Sequence, residues 1–283
     1  MSKVLIATEK PFAAPAVAGI KQILSEAGFD VVLLEKYTAK SELLAAVADV
    51  DAIIIRSDII DKEVFDAARQ LKIVVRAGAG YDNVDLEAAT AHGVCVMNTP
   101  GQNANAVAEL VFALLLFSVR NRFNGTSGTE LKDKKLGLLA YGNTGRNVAR
   151  IAKGIGMDIY AYDPFTPAEV IEKEGVHAVA SQKELFSTCD VVSLHIPATP
   201  ETKGSIGREL VSLLPKKAIL VNTARKEIIN EPELIALLKE REDLRYLADI
   251  RPAAHEEFEA AAGERYFSTP KKMGAQTAEA NTN

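Results

Sequence analysis

The chain has 283 residues, 48% of them hydrophobic and 25% charged, and its formal net charge is −5 at pH 7. This composition is typical of a globular protein. The acidic balance, without a long basic stripe, argues against nucleic acid or an anionic membrane as a partner. The length exceeds the usual single domain of about 100 to 200 residues, which favours two domains.

The two cysteines, Cys95 and Cys189, lie far apart and match no metal-binding or redox spacing, so we expect reduced core residues and no bound metal. The N-terminus contains no apolar stretch of signal-peptide length. The longest apolar run, 106–119, contains Glu109 and is shorter than the roughly 20 residues that cross a bilayer. We therefore expect a cytoplasmic protein in which this run is a buried helix.

Short apolar runs alternate with helical patterns from the beginning of the chain. The spacing predicts strands at 4–7, 31–34, 52–55, 72–75 and 94–97, with helices at 14–27, 41–48, 62–69 and 86–91. This alternation is typical of βαβ units, which form a parallel sheet with helices on both faces.

A second series of predicted strands follows the long apolar helix and a polar loop. These strands lie at 135–140, 158–162, 191–195, 218–222 and 246–250. Thr166, Ser181 and Asn230 each precede a glutamate by three residues and are predicted to cap helices. The predicted fold class is therefore α/β, with two doubly wound parallel-sheet domains.

The first strand of the second series leads into the turn A-Y-G-N-T-G, residues 140–145, and then into a helical pattern. A dinucleotide site needs such a turn, because the backbone must approach the pyrophosphate and the helix N-terminus must point at it. Gly142 and Gly145 occupy the second and third positions of the usual glycine pattern, and Ala140 replaces the first.

The next predicted strand ends in Asp163, close to the spacing of about 20 residues at which an acid contacts the ribose. A carboxylate there can accept a hydrogen bond from the 2′-hydroxyl of NAD and repel the 2′-phosphate of NADP. The alternative interpretation is a glycine turn beside a solvated aspartate. The order of strand, turn, helix, strand and acid favours NAD.

Five stretches of the chain carry further motifs. They are R-A-G-A-G-Y-D-N-V-D at 76–85, V-M-N-T-P-G-Q-N-A-N-A-V-A-E at 96–109, the turn at 140–145, S-L-H-I-P-A-T-P-E-T at 193–202 and L-V-N-T-A-R at 220–225. Together they resemble the D-2-hydroxyacid dehydrogenase family over nearly the whole chain. Within that family the chain most resembles the short phosphoglycerate dehydrogenases, which lack a C-terminal regulatory domain.

The resemblance implies a flavodoxin-like substrate-binding domain at 1–98, to which 276–283 return, and a Rossmann NAD-binding domain at 99–275. It implies NAD-dependent oxidation of 3-phosphoglycerate to 3-phosphohydroxypyruvate, in serine biosynthesis, by a homodimer. Two other functions stay open. One is an NAD-dependent dehydrogenase of another D-2-hydroxy acid, such as glycerate or lactate. The other is a non-catalytic NAD-sensing protein, like the corepressors built on this fold.

Oxidising a 2-hydroxy acid requires a base for the hydroxyl proton and a cation for the carboxylate. Arg225 matches the family's catalytic arginine, and its planar fork suits a carboxylate. Where the family commonly has a catalytic histidine, two positions ahead of a glycine, this chain has Lys272. We expect Lys272 to be the acid–base residue, with Lys271 as a supporting cation.

A base role requires an unusual lysine, because at a pKa of about 10.4 only about one part in a thousand is neutral near pH 7. Burial, nearby cations and the nicotinamide charge would have to lower the pKa of Lys272. The alternative is that Lys272 only binds a substrate anion while water or another group takes the proton. The family's paired glutamate matches Glu257 or its neighbour Glu256, of which we assign Glu257, and His255 is a rival base.

The remaining site residues follow from family motifs and from predicted strand ends. The expected cofactor-binding residues are Gly142, Asn143, Thr144, Gly145, Asp163, His195, Pro197, Thr202, Thr223, Asp249 and Gly274. The expected substrate-binding residues are Arg56, Ser57, Gly78, Ala79, Gly80 and Asn98. Arg56 is the expected ligand of a substrate phosphate, with an ion pair at the cleft rim as the alternative.

Overall fold

The computed structural model describes residues 2–282, and within them the chain divides into two compact units. Unit 1 takes the residues up to 103 together with those from 277 onward, and unit 2 takes residues 104–276. Each unit contains one parallel sheet whose strands alternate with helices along the chain, so the predicted α/β class is confirmed.

Unit 1 is built from short alternating elements. They are β1 (Lys3–Thr8), α1 (Ala14–Glu26), β2 (Asp30–Glu35), α2 (Lys40–Val47), β3 (Ala52–Ile55), α3 (Lys62–Ala67), β4 (Ile73–Arg76), α4 (Leu86–Ala91), β5 (Cys95–Asn98) and α12 (Ala278–Thr282). The strand order is β2-β1-β3-β4-β5, and the paired strands run parallel. This is the flavodoxin-like order, as predicted.

The core of unit 1 surrounds its central strands. Strand β1 carries a continuous apolar run because neighbouring elements cover it on both faces, and its last five residues are all buried. Helix α3 adds Val64 and Phe65 to the core cluster. At the edge of the sheet, β2 leaves Val32 and Leu33 exposed.

Unit 2 contains the longer second series. Its elements are α5 (Ala104–Val119), β6 (Lys135–Leu139), α6 (Asn143–Ile155), β7 (Asp158–Tyr162), α7 (Ala168–Lys173), β8 (His177–Ala178), α8 (Gln182–Thr188), β9 (Val191–Leu194), α9 (Arg208–Val211), β10 (Ile219–Asn222), α10 (Glu231–Glu240), β11 (Arg245–Ala248), α11 (His255–Ala262) and β12 (Tyr266–Ser268), with 3₁₀ turns at Asn121–Phe123, Lys226–Ile228 and Gly263–Arg265. The strand order is β12-β11-β10-β9-β6-β7-β8. This is the Rossmann order with one added strand, and the order reverses between β6 and β9.

Two short strands of unit 2, β8 and β12, were not in the predicted series. They have two and three residues and lie at the two edges of the sheet, so they are too short to show an alternating pattern. The long helix α5 is buried, as predicted, at ten of its 16 residues. Across residues 2–282, none of the helices combines the length and apolar character that a membrane crossing requires.

Two of the three predicted helix caps are confirmed. The Ser181 hydroxyl and the Asn230 side-chain oxygen each accept a hydrogen bond from the amide three residues later, at 3.1 and 3.3 Å. The prediction for Thr166 was wrong, because α7 begins two residues later and Pro167 occupies its cap position.

The two cysteines have different environments. Cys189 is buried, as expected, and burial raises the pKa of its thiol to about 12. It packs so closely on β6 that a Cβ at Gly137 would lie 2.9 Å from its Sγ. The expectation of a core position was wrong for Cys95, which is exposed on the edge strand β5.

Candidate active site and cofactor site

The predicted cofactor residues of unit 2 lie at one edge of its sheet. Because all of its strands are parallel, the loops that follow them leave at the same edge. The residues in these loops are Gly142, Asn143, Thr144, Gly145, Asp163, His195, Pro197, Thr202, Thr223, Arg225, Asp249, Lys272 and Gly274. Doubly wound sheets bind ligands at this edge, beside the point where the strand order reverses.

The turn between β6 and α6 has the backbone shape that a pyrophosphate site needs. Ala140, at the position usually held by glycine, has a φ of 81°, in the left-handed region. A Cβ at Gly145 would lie 2.5 Å from the Ala140 carbonyl oxygen, so this position requires glycine. A Cβ at Gly142 would meet no atom of the described chain within 4 Å, which leaves room for a ligand over the turn.

Helix α6 begins at Asn143 and runs for 13 residues. The amides of Asn143, Thr144 and Gly145 belong to its first turn, where backbone N–H groups have no acceptor within the helix. They form an anion-binding helix N-terminus next to the open space over Gly142. The turn therefore fits the pyrophosphate of a dinucleotide.

Asp163 lies directly after β7 and is tied to the same turn. Its Oδ2 accepts a hydrogen bond from the Tyr141 amide at 2.8 Å, and its Oδ1 accepts one from the Phe165 amide at 2.8 Å. Each carboxylate oxygen can accept more than one hydrogen bond. The fixed carboxylate can therefore also accept a hydrogen bond from a ribose hydroxyl.

Within unit 2, residues 104–276, three buried polar side-chain atoms have no hydrogen-bond partner: Ser193 Oγ, His195 Nε2 and Thr223 Oγ1. Buried polar groups are normally paired, so a group of unpaired ones indicates a place for a ligand or an ordered water. All three lie on or directly after β9 and β10, beside the reversal of the strand order. Ser193 was not predicted, although a serine within the apolar run V-V-S-L was a signal for it.

His195 is neutral at physiological pH. Burial lowers the pKa of its imidazole from 6.5 to about 4. The residue as a whole is half-buried, but its Nε2 is inaccessible, which accounts for the direction of the change. The ring can therefore face a positively charged nicotinamide without adding a charge of its own.

The loop after β9 is closed by its own hydroxyl groups. Thr202 Oγ1 donates to the Pro197 carbonyl at 2.6 Å and accepts from the Thr199 amide at 2.7 Å. The Thr202 side chain therefore fixes the shape of this loop.

Arg225 stands in the loop after β10, and a buried asparagine holds that loop. Asn222 is 3% exposed, donates from Nδ2 to the Arg225 carbonyl at 2.8 Å and accepts from the Ala224 amide at 3.0 Å. Nη1 of Arg225 donates a hydrogen bond to the Ala224 carbonyl at 3.1 Å. Asn222 was not predicted, because a polar residue at a strand end gives no sign of its partners.

The structure places the other candidate acid–base groups in different surroundings. Lys272 is half-buried in the loop after β12, and Lys271 is exposed. Glu257 and Glu256 are exposed in the first turn of α11. The ring of His255 is engaged on both sides, with Nδ1 2.9 Å from the Tyr266 hydroxyl and Nε2 3.2 Å from a carboxylate oxygen of Glu259.

In unit 1, Arg56 follows β3 and contacts neutral groups. Its guanidinium donates to the Pro11 carbonyl at 2.9 Å and to Asn281 Oδ1 at 3.2 Å, and it lies 5.5 Å from the ring centroid of Phe12. No carboxylate within residues 2–282 forms an ion pair with it. Its charge is therefore available to an anion, and Ser57 beside it is exposed.

Asp58, which was not predicted, organises the same loop of unit 1. It is 4% exposed and accepts hydrogen bonds from the Tyr37 hydroxyl at 2.7 Å, the Glu9 amide at 2.8 Å and the Arg56 amide at 3.1 Å. Burial and this hydroxyl contact raise the pKa of Tyr37. Asp58 thus fixes the backbone that carries Arg56.

The 77–80 loop of unit 1 is shaped by a glycine and an asparagine. Gly78 has a φ of 151°, and a Cβ there would collide with the Arg76 guanidinium. Asn98 donates to the Ala79 carbonyl at 2.7 Å, which holds the loop next to the end of β5. Gly80 is half-buried in the same loop.

The fold and the site of unit 2 together are those of a dinucleotide-binding domain of the Rossmann type. The model of the family described as D-isomer specific 2-hydroxyacid dehydrogenase, NAD binding domain, matches residues 116–269. The chain therefore belongs to this family, and unit 2 contains its NAD-binding domain. The predicted family and cofactor are confirmed.

Individual relatives have related but different names. D-3-phosphoglycerate dehydrogenase of Methanocaldococcus jannaschii is 40% identical over 234 residues, which are 78% of this chain and 43% of that protein. Hydroxypyruvate reductase of Thermotoga maritima is 36% identical over 219 residues, 72% of this chain and 70% of that protein. The chain thus spans less than half the length of the first of these relatives.

A solved structure is similar over the whole chain. It is the cofactor (NAD+)-bound 3-phosphoglycerate dehydrogenase of Entamoeba histolytica, with 48% sequence identity and a TM-score of 0.91. The similarity covers 100% of this chain and 91% of that one.

Proposed function

We propose that this chain is a D-3-phosphoglycerate dehydrogenase, which oxidises 3-phosphoglycerate to 3-phosphohydroxypyruvate with NAD in the cytoplasmic pathway to serine. The observation that carries the proposal is the placement of Arg225 and Lys272 at the same sheet edge as the dinucleotide turn. The names of the relatives in M. jannaschii and E. histolytica support the phosphorylated substrate.

The chemistry assigns a task to each side chain. Bound NAD would supply the hydride acceptor, held by the α6 N-terminus and Asp163. Arg225, whose loop is fixed by Asn222, binds the substrate carboxylate through two parallel N–H donors. Lys272 takes the hydroxyl proton, and Lys271 adds positive charge for the anionic substrate.

Unit 1 is the proposed substrate-binding domain. Arg56, which has no carboxylate partner in residues 2–282, is the proposed phosphate ligand, with Ser57 beside it. The 77–80 loop and Asn98 supply the proposed hydrogen-bond donors for the rest of the substrate. Glu257 is kept as the proposed glutamate partner of the acid–base residue.

A substrate panel tests the proposal. NADH formation is followed with 3-phosphoglycerate, D-glycerate and D-lactate, and we expect kcat/KM for the phosphorylated acid to be at least about tenfold higher, a difference of about 1.4 kcal/mol. An unchanged kcat/KM without the phosphate would favour a dehydrogenase of another D-2-hydroxy acid. NADH binding without turnover of any acid would favour the NAD-sensing protein. Arg225→Met should lower kcat/KM for the acid, because it removes the proposed carboxylate ligand, whereas Lys226→Met, next to Arg225 but exposed, should not.

The proposed assembly is a homodimer formed through the end of α5 and the turn after it. Asn121, Arg122 and Phe123 all have positive φ, of 49°, 55° and 58°. This conformation costs about 1–2 kcal/mol per residue, and such strain persists where surrounding contacts fix it. The Asn121 amide group donates to Thr126 Oγ1 and to the Ser127 carbonyl, both at 3.0 Å.

This strained turn presents apolar side chains. Phe123 in this turn is 70% exposed and Leu116 on α5 is 43% exposed, and an interface would cover such apolar side chains. Light scattering should give twice the 30.5 kDa chain mass. Phe123→Ser should lower that mass, while Phe165→Ser, at a residue 94% exposed elsewhere, should not. A monomeric wild-type chain would contradict the proposed dimer.

A further inference from the structure

The loop that carries Lys271 and Lys272 is held by one buried carboxylate. Asp249, directly after β11, is 4% exposed. Its Oδ1 accepts hydrogen bonds from Thr269 Oγ1 at 2.8 Å and from the Met273 amide at 2.7 Å. Its Oδ2 accepts one from the Gly274 amide at 2.8 Å. Asp249 therefore contacts the loop on both sides of the two lysines.

The N-terminal side of the loop has further support. Thr269 is 6% exposed, its amide donates to the Ala248 carbonyl at 3.0 Å, and its hydroxyl accepts from the Ile250 amide at 2.8 Å. Ile250 has a φ of 107°, which a β-branched residue rarely adopts. Strained positions of this kind persist where the surrounding structure fixes them, often at functional sites. Thr269 thus connects the strained residue, the carboxylate and the start of the loop.

On the C-terminal side of the loop, Gly274 packs closely against the Asp249 carboxylate, with no room for a larger residue. A Cβ at Gly274 would lie 2.9 Å from Asp249 Oδ2 and 3.1 Å from Val107 Cγ2 on α5. Asp249 and Val107 are both buried, so neither neighbour is the exposed end of a flexible side chain. Hydrogen bonds from amides to a carboxylate are stronger than those between neutral groups.

We infer that Asp249 is a positioning residue for Lys272, and that it acts by holding the 269–274 loop in place. This inference rests on the proposed role of Lys272 in the site. It differs from the direct cofactor contact expected of Asp249, because this carboxylate is 4% exposed and all three of its hydrogen bonds come from the loop. Asparagine does not replace aspartate here, since its NH₂ group would face an amide N–H that needs an acceptor.

Proteolysis tests the loop directly, without relying on catalysis. Trypsin can cleave after Lys271 and after Lys272 only when the loop opens locally. In the folded 283-residue chain we expect Asp249→Asn to raise the cleavage rate at these two bonds by about tenfold or more, measured by mass spectrometry of the resulting fragments. Asp190→Asn is the matched control, because Asp190 also accepts a backbone amide, from Lys135 at 2.9 Å, at the start of β6. It should leave these two cleavage rates unchanged.

Binding and turnover distinguish the two roles of Asp249. We expect Asp249→Asn to lower kcat by about tenfold or more while the Kd for NADH, measured by its own fluorescence, changes by less than about threefold. An NADH Kd raised more than tenfold, with unchanged cleavage at the two lysines, would overturn the inference in favour of a direct cofactor contact. Thr269→Val, which removes one donor to the carboxylate, should give a smaller rise in cleavage. Unchanged cleavage in Thr269→Val would also overturn it, even if Asp249→Asn failed to fold.

The proposed function can be contradicted independently of this inference. If Asp249→Asn opens the loop but Lys272→Ala keeps wild-type turnover, the positioning of the loop stands and the catalytic role of Lys272 is wrong.

Discussion

The amide of Tyr141 donates a 2.8 Å hydrogen bond to Oδ2 of Asp163, joining the turn after β6 to the end of β7. Because these two strands are neighbours in the sheet, the carboxylate lies beside the glycine turn at a fixed position. One side chain therefore shapes the turn and supplies the negative charge that we propose distinguishes NAD from NADP.

Removing that charge should relax cofactor selectivity. Asp163→Asn keeps an oxygen acceptor but loses the charge, so the ratio of kcat/KM for NAD to that for NADP should fall by about tenfold or more, since like charges in one site cost several kcal/mol. Steady-state rates with both cofactors measure this ratio. Asp158→Asn, at the other end of β7, is the control. Unchanged selectivity in Asp163→Asn would discredit its role at the ribose.

Substitutions at the two glycines of the turn should have different effects. Gly145→Ala places a Cβ 2.5 Å from a backbone oxygen, so we expect a loss of about 1–3 kcal/mol in the free energy of unfolding. Gly142→Ala meets no protein atom within 4 Å in the described chain, so its stability should stay within about 0.5 kcal/mol. Its Kd for NADH should nevertheless rise about tenfold or more, because the methyl group occupies the space over the turn.

Urea unfolding and NADH fluorescence separate these two effects. Wild-type affinity in Gly142→Ala would mean that the pyrophosphate does not approach this glycine.

Substitutions at Lys272 separate proton transfer from anion binding. Lys272→Ala should lower kcat by about 100-fold or more, in the range that general acid–base groups contribute. Lys272→Arg keeps the charge but cannot release a proton near neutral pH, so it should be similarly impaired. Lys271→Ala, at the exposed neighbour, should retain more activity. Near-normal turnover in Lys272→Arg would assign the proton to another group.

His195 should make the folded chain sensitive to acid. Burial lowers the pKa of its imidazole from 6.5 to about 4, so between these values the unfolded chain binds more protons than the folded one. The free energy of unfolding should therefore fall by about 2 kcal/mol as the pH is lowered from about 7.5 to 5. Urea unfolding at the two pH values measures the change. His195→Gln should lose this part of the dependence, whereas His177→Gln, at an exposed histidine, should keep it.

Much of the fold could be predicted because its signals are local. The alternating strands and helices of both units, and the strand, turn, helix and acid from β6 to Asp163, each depend on residues close together in the sequence. The two departures from family patterns, Ala140 and Lys272, could also be identified without coordinates. Short-range geometry was less reliable at Thr166, where Pro167 displaces the start of α7.

The contacts that build the site could not be predicted in the same way. Asp249 holds Met273 and Gly274 because β11 and β12 are neighbours in the sheet, and Asp58 reaches Glu9 because β1 and β3 are neighbours.

The fold class, the family and the residues that could perform the chemistry each leave a pattern within a short stretch, so they follow from the amino-acid sequence. The folded chain is needed to show which carboxylate holds which loop and which buried hydroxyls stay unpaired. A hydrogen bond depends on distance in space, and parallel strands bring together loops whose residues are far apart along the chain.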